Sequence, residues 1–117
     1  MQDFRKLRVW RDAVSVAILA YGETSDFPKS ELYGLTSQIR RSAVSISSNI
    51  AEGAGRSGHA DTARFIHIAI GSVCELESHM EVASRLGMVE WSVGFVDRVD
   101  KVRRSLIRLE DRISSSH

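Results

Sequence analysis

The sequence predicts an all-α protein folded as an antiparallel up-down-up-down four-helix bundle. Helix breakers are few, since Pro28 is the only proline and the glycines lie mainly between long segments. Those segments repeat apolar residues with the helical period, and the strict alternation that strands need is scarce. A chain of 117 residues has room for one domain. We therefore expect a single bundle with helices at about residues 7–23, 30–54, 59–86 and 92–113.

The first predicted helix has more apolar surface than one buried face requires. Its main apolar stripe, which we expect in the core, comprises Leu7, Trp10, Ala13, Val14, Ala17, Ile18 and Tyr21. Val16 and Leu19 point in another direction, so we expect this helix to contact two neighbours, one of them in another molecule. The alternative is that both faces belong to the core. Pro28 disfavours helix at Phe27 and ends the segment.

The second predicted helix carries three stripes with different chemistry. An apolar stripe, expected in the core, comprises Leu32, Leu35, Ile39, Ala43, Ile46 and Ile50. A polar stripe beside it comprises Gln38, Arg41, Ser45, Asn49, Glu52 and Arg56. A third face has mainly small side chains, which let another backbone approach closely: Ser37, Val44, Ser48 and Ala51. This third face and the first helix together predict self-association.

The third and fourth predicted helices each have one clear apolar stripe. The third aligns Phe65, Ala69, Ser72, Leu76, Met80 and Ala83, and Gly87 is predicted to end it. The fourth repeats apolar residues at alternating intervals of four and three, the period of bundle packing: Phe95, Val99, Val102, Leu106, Leu109 and Ile113. Short connections between four such helices predict antiparallel neighbours.

The polar stripe has two interpretations. It is either a solvated face or a half-buried network, inside the bundle or between subunits. An antiparallel fold-back near Ser57 would bring Arg41 close to Glu75, so we predict that Arg41 pairs with Glu75 or Glu77. The predicted network comprises Gln38, Arg41, Asn49, Glu52, Arg56, Glu75 and Glu77.

Composition restricts the classes of function. The net charge of +1 means that any contact with nucleic acid must rest on a local patch of positive charge. The candidates for such contact are Arg40, Arg56, Arg64, Lys101, Arg104 and Arg108. Of these, Arg40, Arg56 and Arg64 could form a patch with Arg41 around the loop at residues 53–58. The alternative is that these cations pair with interleaved Asp and Glu residues. No stretch approaches the roughly 18–20 apolar residues of a membrane span, and nothing resembles a signal peptide, so we expect a cytoplasmic protein.

No catalytic, cofactor or metal site is predicted. The single cysteine, Cys74, excludes an intramolecular disulfide, and His67, on the same predicted face, lacks the spacing of a metal-ligand pair with it. The glycine-rich loop at residues 53–58 could hold phosphate at a helix start, but it lacks the spacing of a nucleotide-binding motif. A glycine cap followed by a turn is the alternative.

Four segments match a known family in order. Residues 37–56 (SQIRRSAVSISSNIAEGAGR) are the most distinctive run, joined by 4–10 (FRKLRVW), 27–35 (FPKSELYGL) and 65–77 (FIHIAIGSVCELE). Together they resemble the small four-helix-bundle proteins first noticed in intervening sequences of bacterial 23S ribosomal RNA genes. The resemblance covers about residues 4–110.

The resemblance implies a four-helix bundle that assembles into a homopentameric ring and is not an enzyme. One related branch of the family serves as the accessory protein of diversity-generating retroelements, where it pairs with a reverse transcriptase and binds nucleic acid. The first hypothesis is therefore a structural or adaptor homo-oligomer. The alternative is a nucleic-acid-binding accessory factor for a reverse transcriptase or an rRNA element.

Overall fold

The computed structural model describes residues 3–115, which contain four α-helices and no strand. The α-helices are α1 (Arg8–Glu23), α2 (Leu35–Ala54), α3 (His59–Arg85) and α4 (Val93–Ser115), with short 3₁₀ turns at Phe4–Lys6 and Lys29–Glu31. The all-α prediction is confirmed. Within the described residues, no helix combines the length and apolar character needed to cross a membrane.

Each helix packs against the next in the chain, and α4 closes the bundle against α1. Neighbouring helices run in opposite directions, because contacts join the end of one to the start of the next. Arg40 in the second turn of α2 donates to Thr24 just after α1, and Thr62 early in α3 donates to the carbonyl of Gly53 late in α2. The α3–α4 seam runs the same way, through the pairs His67–Glu110 and Glu77–Arg103. The α1–α4 seam does so through the pair Asp12–Lys101 and the bond that the N–H of Ser92 donates to the Glu23 carboxylate.

All four helices contribute to one core of buried apolar side chains. The predicted stripe of α2 supplies four completely buried residues, Ile39, Ala43, Ile46 and Ile50. The predicted stripe of α4 is buried over its first four members, and Leu109 and Ile113 pack against the core at its edge. The predicted α3 stripe is buried at Ala69, Leu76, Met80 and Ala83, with Ile66 and Val73 added beside it.

The predicted core face of α1 is partly wrong. Val16, expected on the outer face, is completely buried together with Ala13 and Ala20, whereas Ile18 is 67% exposed and Tyr21 is 49% exposed. Two alanines on the inward face leave room for a neighbouring helix to approach closely. The helical period identifies the two apolar faces of α1 but contains no information on which one the bundle covers.

The second helix begins five residues later than predicted, at Leu35 instead of residue 30. Residues 29–31 form a single 3₁₀ turn, and the Glu31 carboxylate accepts a hydrogen bond from the N–H of Leu35 at 3.2 Å. This bond satisfies one of the free N–H groups at the start of α2. Leu32, predicted in the core stripe, therefore lies outside the helix and is 48% exposed. The other helix boundaries agree with prediction within two residues.

Gly87 ends α3, as predicted. Its φ of 73° lies in the left-handed region, which side chains rarely adopt. The N–H of Gly87 donates to the carbonyl of Ser84 and the N–H of Met88 to that of Ala83, both at 3.0 Å. This pair of hydrogen bonds is the Schellman motif, which satisfies the last carbonyl groups of a helix.

Candidate assembly surface around the second helix

The middle of the polar stripe forms a half-buried network between α2 and α3. The hydroxyl oxygens of Ser45 and Ser72 lie 2.8 Å apart across the seam. Asn49 donates its side-chain N–H to the carbonyl of Ser45 at 2.8 Å and to its hydroxyl at 3.0 Å. The Ser45–Ser72 contact fixes the register of the two helices, and the Asn49 bonds, which lie within α2, hold Ser45 in place.

Arg56 contacts residues on both sides of the turn that joins α2 to α3. Its guanidinium donates to Glu52 at 2.9 Å, lies 3.5 Å from Asp61 and stacks over the ring of Phe65 at 4.6 Å. Gly53 and Ala54 form the end of α2, Gly55 caps the helix, and residues 55–58 are the turn to α3, as the glycine-cap interpretation predicted. Arg56 and Glu52 belong to the predicted network, but they pair with neighbours at the turn.

The predicted pairing of Arg41 with Glu75 or Glu77 is wrong within a single chain. Arg41 and Glu75 line one cavity of about 390 Å³ at the other end of the seam, together with Gln38, yet no ion pair joins them. Glu75 lies 3.7 Å from His79, and Glu77 lies 3.6 Å from Arg103 of α4. The Arg41 side chain is exposed on the outer side of α2, and in residues 3–115 it has no carboxylate within 4.0 Å.

The six cations predicted for nucleic-acid contact do not gather into one patch. Arg40 bonds Thr24 at 3.0 Å and lies over the ring of Tyr21, about 20 Å along α2 from the Arg56 turn. Four of the six, Arg56, Arg64, Lys101 and Arg104, lie beside carboxylates. The sixth, Arg108, donates to the Ser105 hydroxyl at 3.3 Å. The loop therefore lacks the predicted basic patch of four arginines. The interpretation that acidic residues neutralise the cations holds for the four that lie beside carboxylates.

One polar pair was not predicted from the sequence. The Nδ1 atom of His67 lies 2.7 Å from a carboxylate oxygen of Glu110, across the α3–α4 seam. The antiparallel register of the two apolar stripes was the signal that could have found it. Cys74 lies two helical turns from His67, about 10 Å along α3, which is too far for a catalytic pair. In the described part of the chain, no three His, Cys, Asp or Glu side chains are placed to hold a metal ion.

The pKa of Arg85 is shifted by a neighbouring carboxylate. On the outer side of α3, Arg85 donates to Glu81 at 2.8 Å. This hydrogen bond, together with the negative charge of Glu81, raises the pKa of Arg85 above its ordinary value. Both groups are exposed, so the pair adds little to stability.

Exposed apolar side chains concentrate on both sides of α2. In α1, Tyr21 borders the same groove as Val44, and Ile18 lies one turn before Tyr21. In α3, Ile68 lies on the side of the helix that carries Ser72 and borders α2. Val82 and Leu86 continue this side toward the end of the helix. The exposed apolar residues here are Ile18 (67%), Tyr21 (49%), Val44 (39%), Ile68 (41%), Val82 (46%) and Leu86 (66%).

Small side chains lie between these two apolar margins. No helix of the described chain covers Val44 and Ser48, which are exposed, and Ser37 and Ala51 are half-buried. We call the surface formed by these small residues and the six exposed apolar residues the α2 face. Its apolar residues lie on either side of the small ones, and the exposed cation Arg41 lies between them with no carboxylate within 4.0 Å in residues 3–115.

The family comparison agrees with this fold. The family model described as 23S rRNA-intervening sequence protein matches residues 5–108, which include α1, α2 and α3 and most of α4. A search of curated protein sequences gives no significant match. Because the family match spans most of the chain, the protein belongs to the family of 23S rRNA-intervening sequence proteins.

Proposed function

We propose that this protein is a non-catalytic, cytoplasmic helical module that acts as a homo-oligomer, with its α2 face covered by sister copies. The observation that carries the proposal is the distribution of exposed apolar side chains. Of the eleven large apolar residues that the described chain exposes, six lie on the α2 face. Leu32 and Tyr33 lie directly before α2, and the remaining three lie on α4.

Contiguous apolar surface on a soluble protein marks an interaction site more often than chance exposure. The small side chains at the centre of the α2 face allow a neighbouring backbone to approach closely, so that the apolar margins of two molecules can meet. Five is the subunit number that the family resemblance implies, and we propose a pentameric ring. An adaptor role follows because a ring presents the same surface several times, which multiplies weak contacts with a partner.

A structural role is also supported by the polar groups. His67 is engaged by Glu110, and Cys74 lies two turns away from it. Four of the six candidate cations lie beside carboxylates, so the charge pattern does not favour the nucleic-acid-binding alternative. Mobility-shift assays across a salt series separate the two proposals, because binding that rests on phosphate contacts weakens steeply as salt rises.

The test is sedimentation velocity at micromolar concentration on three proteins. The native chain should sediment as an oligomer, and Val44→Glu should shift it toward the monomer because a carboxylate would be buried in the interface. Val96→Glu is the matched control, since Val96 is 43% exposed on α4 and Val44 is 39% exposed on α2. A monomeric native protein would refute the proposal, and equal dissociation of both variants would refute the assignment to α2. Circular dichroism checks that both variants remain helical.

A further inference from the structure

We propose that the groove between α2 and α3 binds a small zwitterion, an amino acid whose carboxylate lies against Arg41 and whose ammonium lies against Glu75. This inference goes beyond the proposed function, because every residue that lines the groove belongs to one chain. The groove has a volume of about 390 Å³ and is lined by Gln38, Arg41, Ser42, Ser45, Glu75 and His79. That volume lies within the range of small-molecule sites, roughly 300–1,000 Å³.

The polar side chains of the groove stand in two facing rows. Gln38, Arg41 and Ser45 follow one another at intervals of three and four residues, so they share one side of α2. Glu75 and His79 are four residues apart and share the facing side of α3. The two helices therefore present a row of hydrogen-bond donors on one wall and a carboxylate on the other.

Arg41 and Glu75 face each other at nearly the same height along the bundle. The Ser45–Ser72 contact sets the antiparallel register, which places residue 41 level with residue 76, about 1.5 Å in height from Glu75. The two charges nevertheless do not meet, since no carboxylate lies within 4.0 Å of Arg41 in residues 3–115. A positive and a negative group thus line one cavity with a gap between them.

Neither of these charges is fully engaged by the chain itself. Within residues 3–115, the side chains of Gln38 and Arg41 form no hydrogen bond. Glu75 keeps 62% of its side chain exposed, and its ion-pair neighbour His79 is 3.7 Å away, which is longer than a hydrogen bond. The guanidinium is a planar fork of donors that matches a carboxylate, and the Glu75 carboxylate accepts hydrogen bonds from an ammonium.

The two charges together select the class of ligand. A simple anion attracted by Arg41 would be repelled by Glu75, and a simple cation attracted by Glu75 would be repelled by Arg41. A molecule with a carboxylate and an ammonium a few bonds apart neutralises both residues at once. The gap between the two groups sets the length of the carbon chain that fits.

Equilibrium dialysis with amino acids of increasing chain length tests the site. The probes are glycine, β-alanine, γ-aminobutyrate and ε-aminocaproate. Overnight dialysis lets subunits exchange, since the groove borders the α2 face. We expect saturable binding with an optimum at one length. At that length, the N-acetylated probe, which lacks the ammonium, and the amide, which lacks the carboxylate, should each bind at least about tenfold more weakly. Absence of saturable binding by all the probes would overturn the inference.

Charge-neutral variants test which residue binds which end of the ligand. Glu75→Gln should weaken binding of the best probe at least about tenfold, yet bind its N-acetylated form no worse than the native protein does. Arg41→Gln should show the mirror pattern with the amide. Glu81→Gln is the control, since Glu81 lies on α3 with 64% of its side chain exposed, close to the 62% of Glu75. Equal binding by Glu75→Gln and Glu81→Gln would overturn the assignment, and circular dichroism checks that the variants remain helical.

The outcomes separate this inference from the proposed function. A monomeric native chain that binds a probe would keep the zwitterion site and refute self-association. An oligomeric chain that binds none of the probes would leave self-association standing and overturn the site.

Discussion

Replacing Gly53 with alanine should destabilise the fold, because this glycine lies where α2 and α3 touch. A Cβ at this position would lie 3.0 Å from the Cβ of Phe65 and 3.3 Å from the carbonyl oxygen of Thr62. The Thr62 hydroxyl also donates to the Gly53 carbonyl at 3.0 Å. Neither neighbour can retreat unless the backbone of α3 moves.

Two opposing effects set the magnitude. Overpacking of a tight contact costs about 1–3 kcal/mol. Alanine gains up to about 1 kcal/mol over glycine inside a helix, and less at Gly53, which is the penultimate residue of α2. We expect a net loss of about 1–2 kcal/mol. Gly71→Ala is the control. A Cβ at Gly71, inside α3, would meet no atom of another helix within 4 Å, so this substitution should raise the free energy of unfolding by about 0.5–1 kcal/mol.

Urea denaturation followed by far-UV circular dichroism measures both variants. All chains must be compared at one concentration, because assembly and folding stability are linked. The two substitutions are chemically identical and should change the free energy of unfolding with opposite signs. A Gly53→Ala protein as stable as the Gly71→Ala protein would refute the inferred close contact between α2 and α3.

Two further predictions test the packing. Val16→Ala should lose about 2 kcal/mol of folding stability, whereas Ile18→Ala should weaken assembly and change monomer stability by less than about 0.5 kcal/mol. Equal losses in urea denaturation, at a concentration too low for assembly, would contradict the assigned faces of α1. Gly87→Ala should cost about 1–2 kcal/mol, because alanine is strained at a φ of 73°. An unchanged melting temperature would show that the end of α3 does not need the left-handed residue.

The fold could be predicted wherever one apolar face dominates a helix. In α4 the residues between the apolar positions are mostly polar or charged, so the period alone identifies Phe95 and Leu106 as core. In α1 apolar residues occupy two faces, and the period cannot choose between Val16 and Ile18. Tertiary packing makes that choice, through the small inward alanines of α1. The sequence therefore reveals the surplus apolar surface of α1 without showing which side carries it.

The candidate site was harder to predict because charged contacts depend on side-chain direction as well as on register. The register correctly places Arg41 and Glu75 at similar heights, and both line one cavity. The position of Arg41 around α2 directs its guanidinium outward, so the pair does not form within the chain. Similarly, His67 and Glu110 are 43 residues apart, and their contact follows only once α3 and α4 are aligned.

Native mass spectrometry of the unmodified protein tests the central claim, self-association, most directly. At micromolar concentration we expect one dominant species at five times the 13.0 kDa chain mass, with few monomers. A spectrum dominated by the single 13.0 kDa chain would show that the α2 face is not covered by sister copies, and would contradict the proposed function.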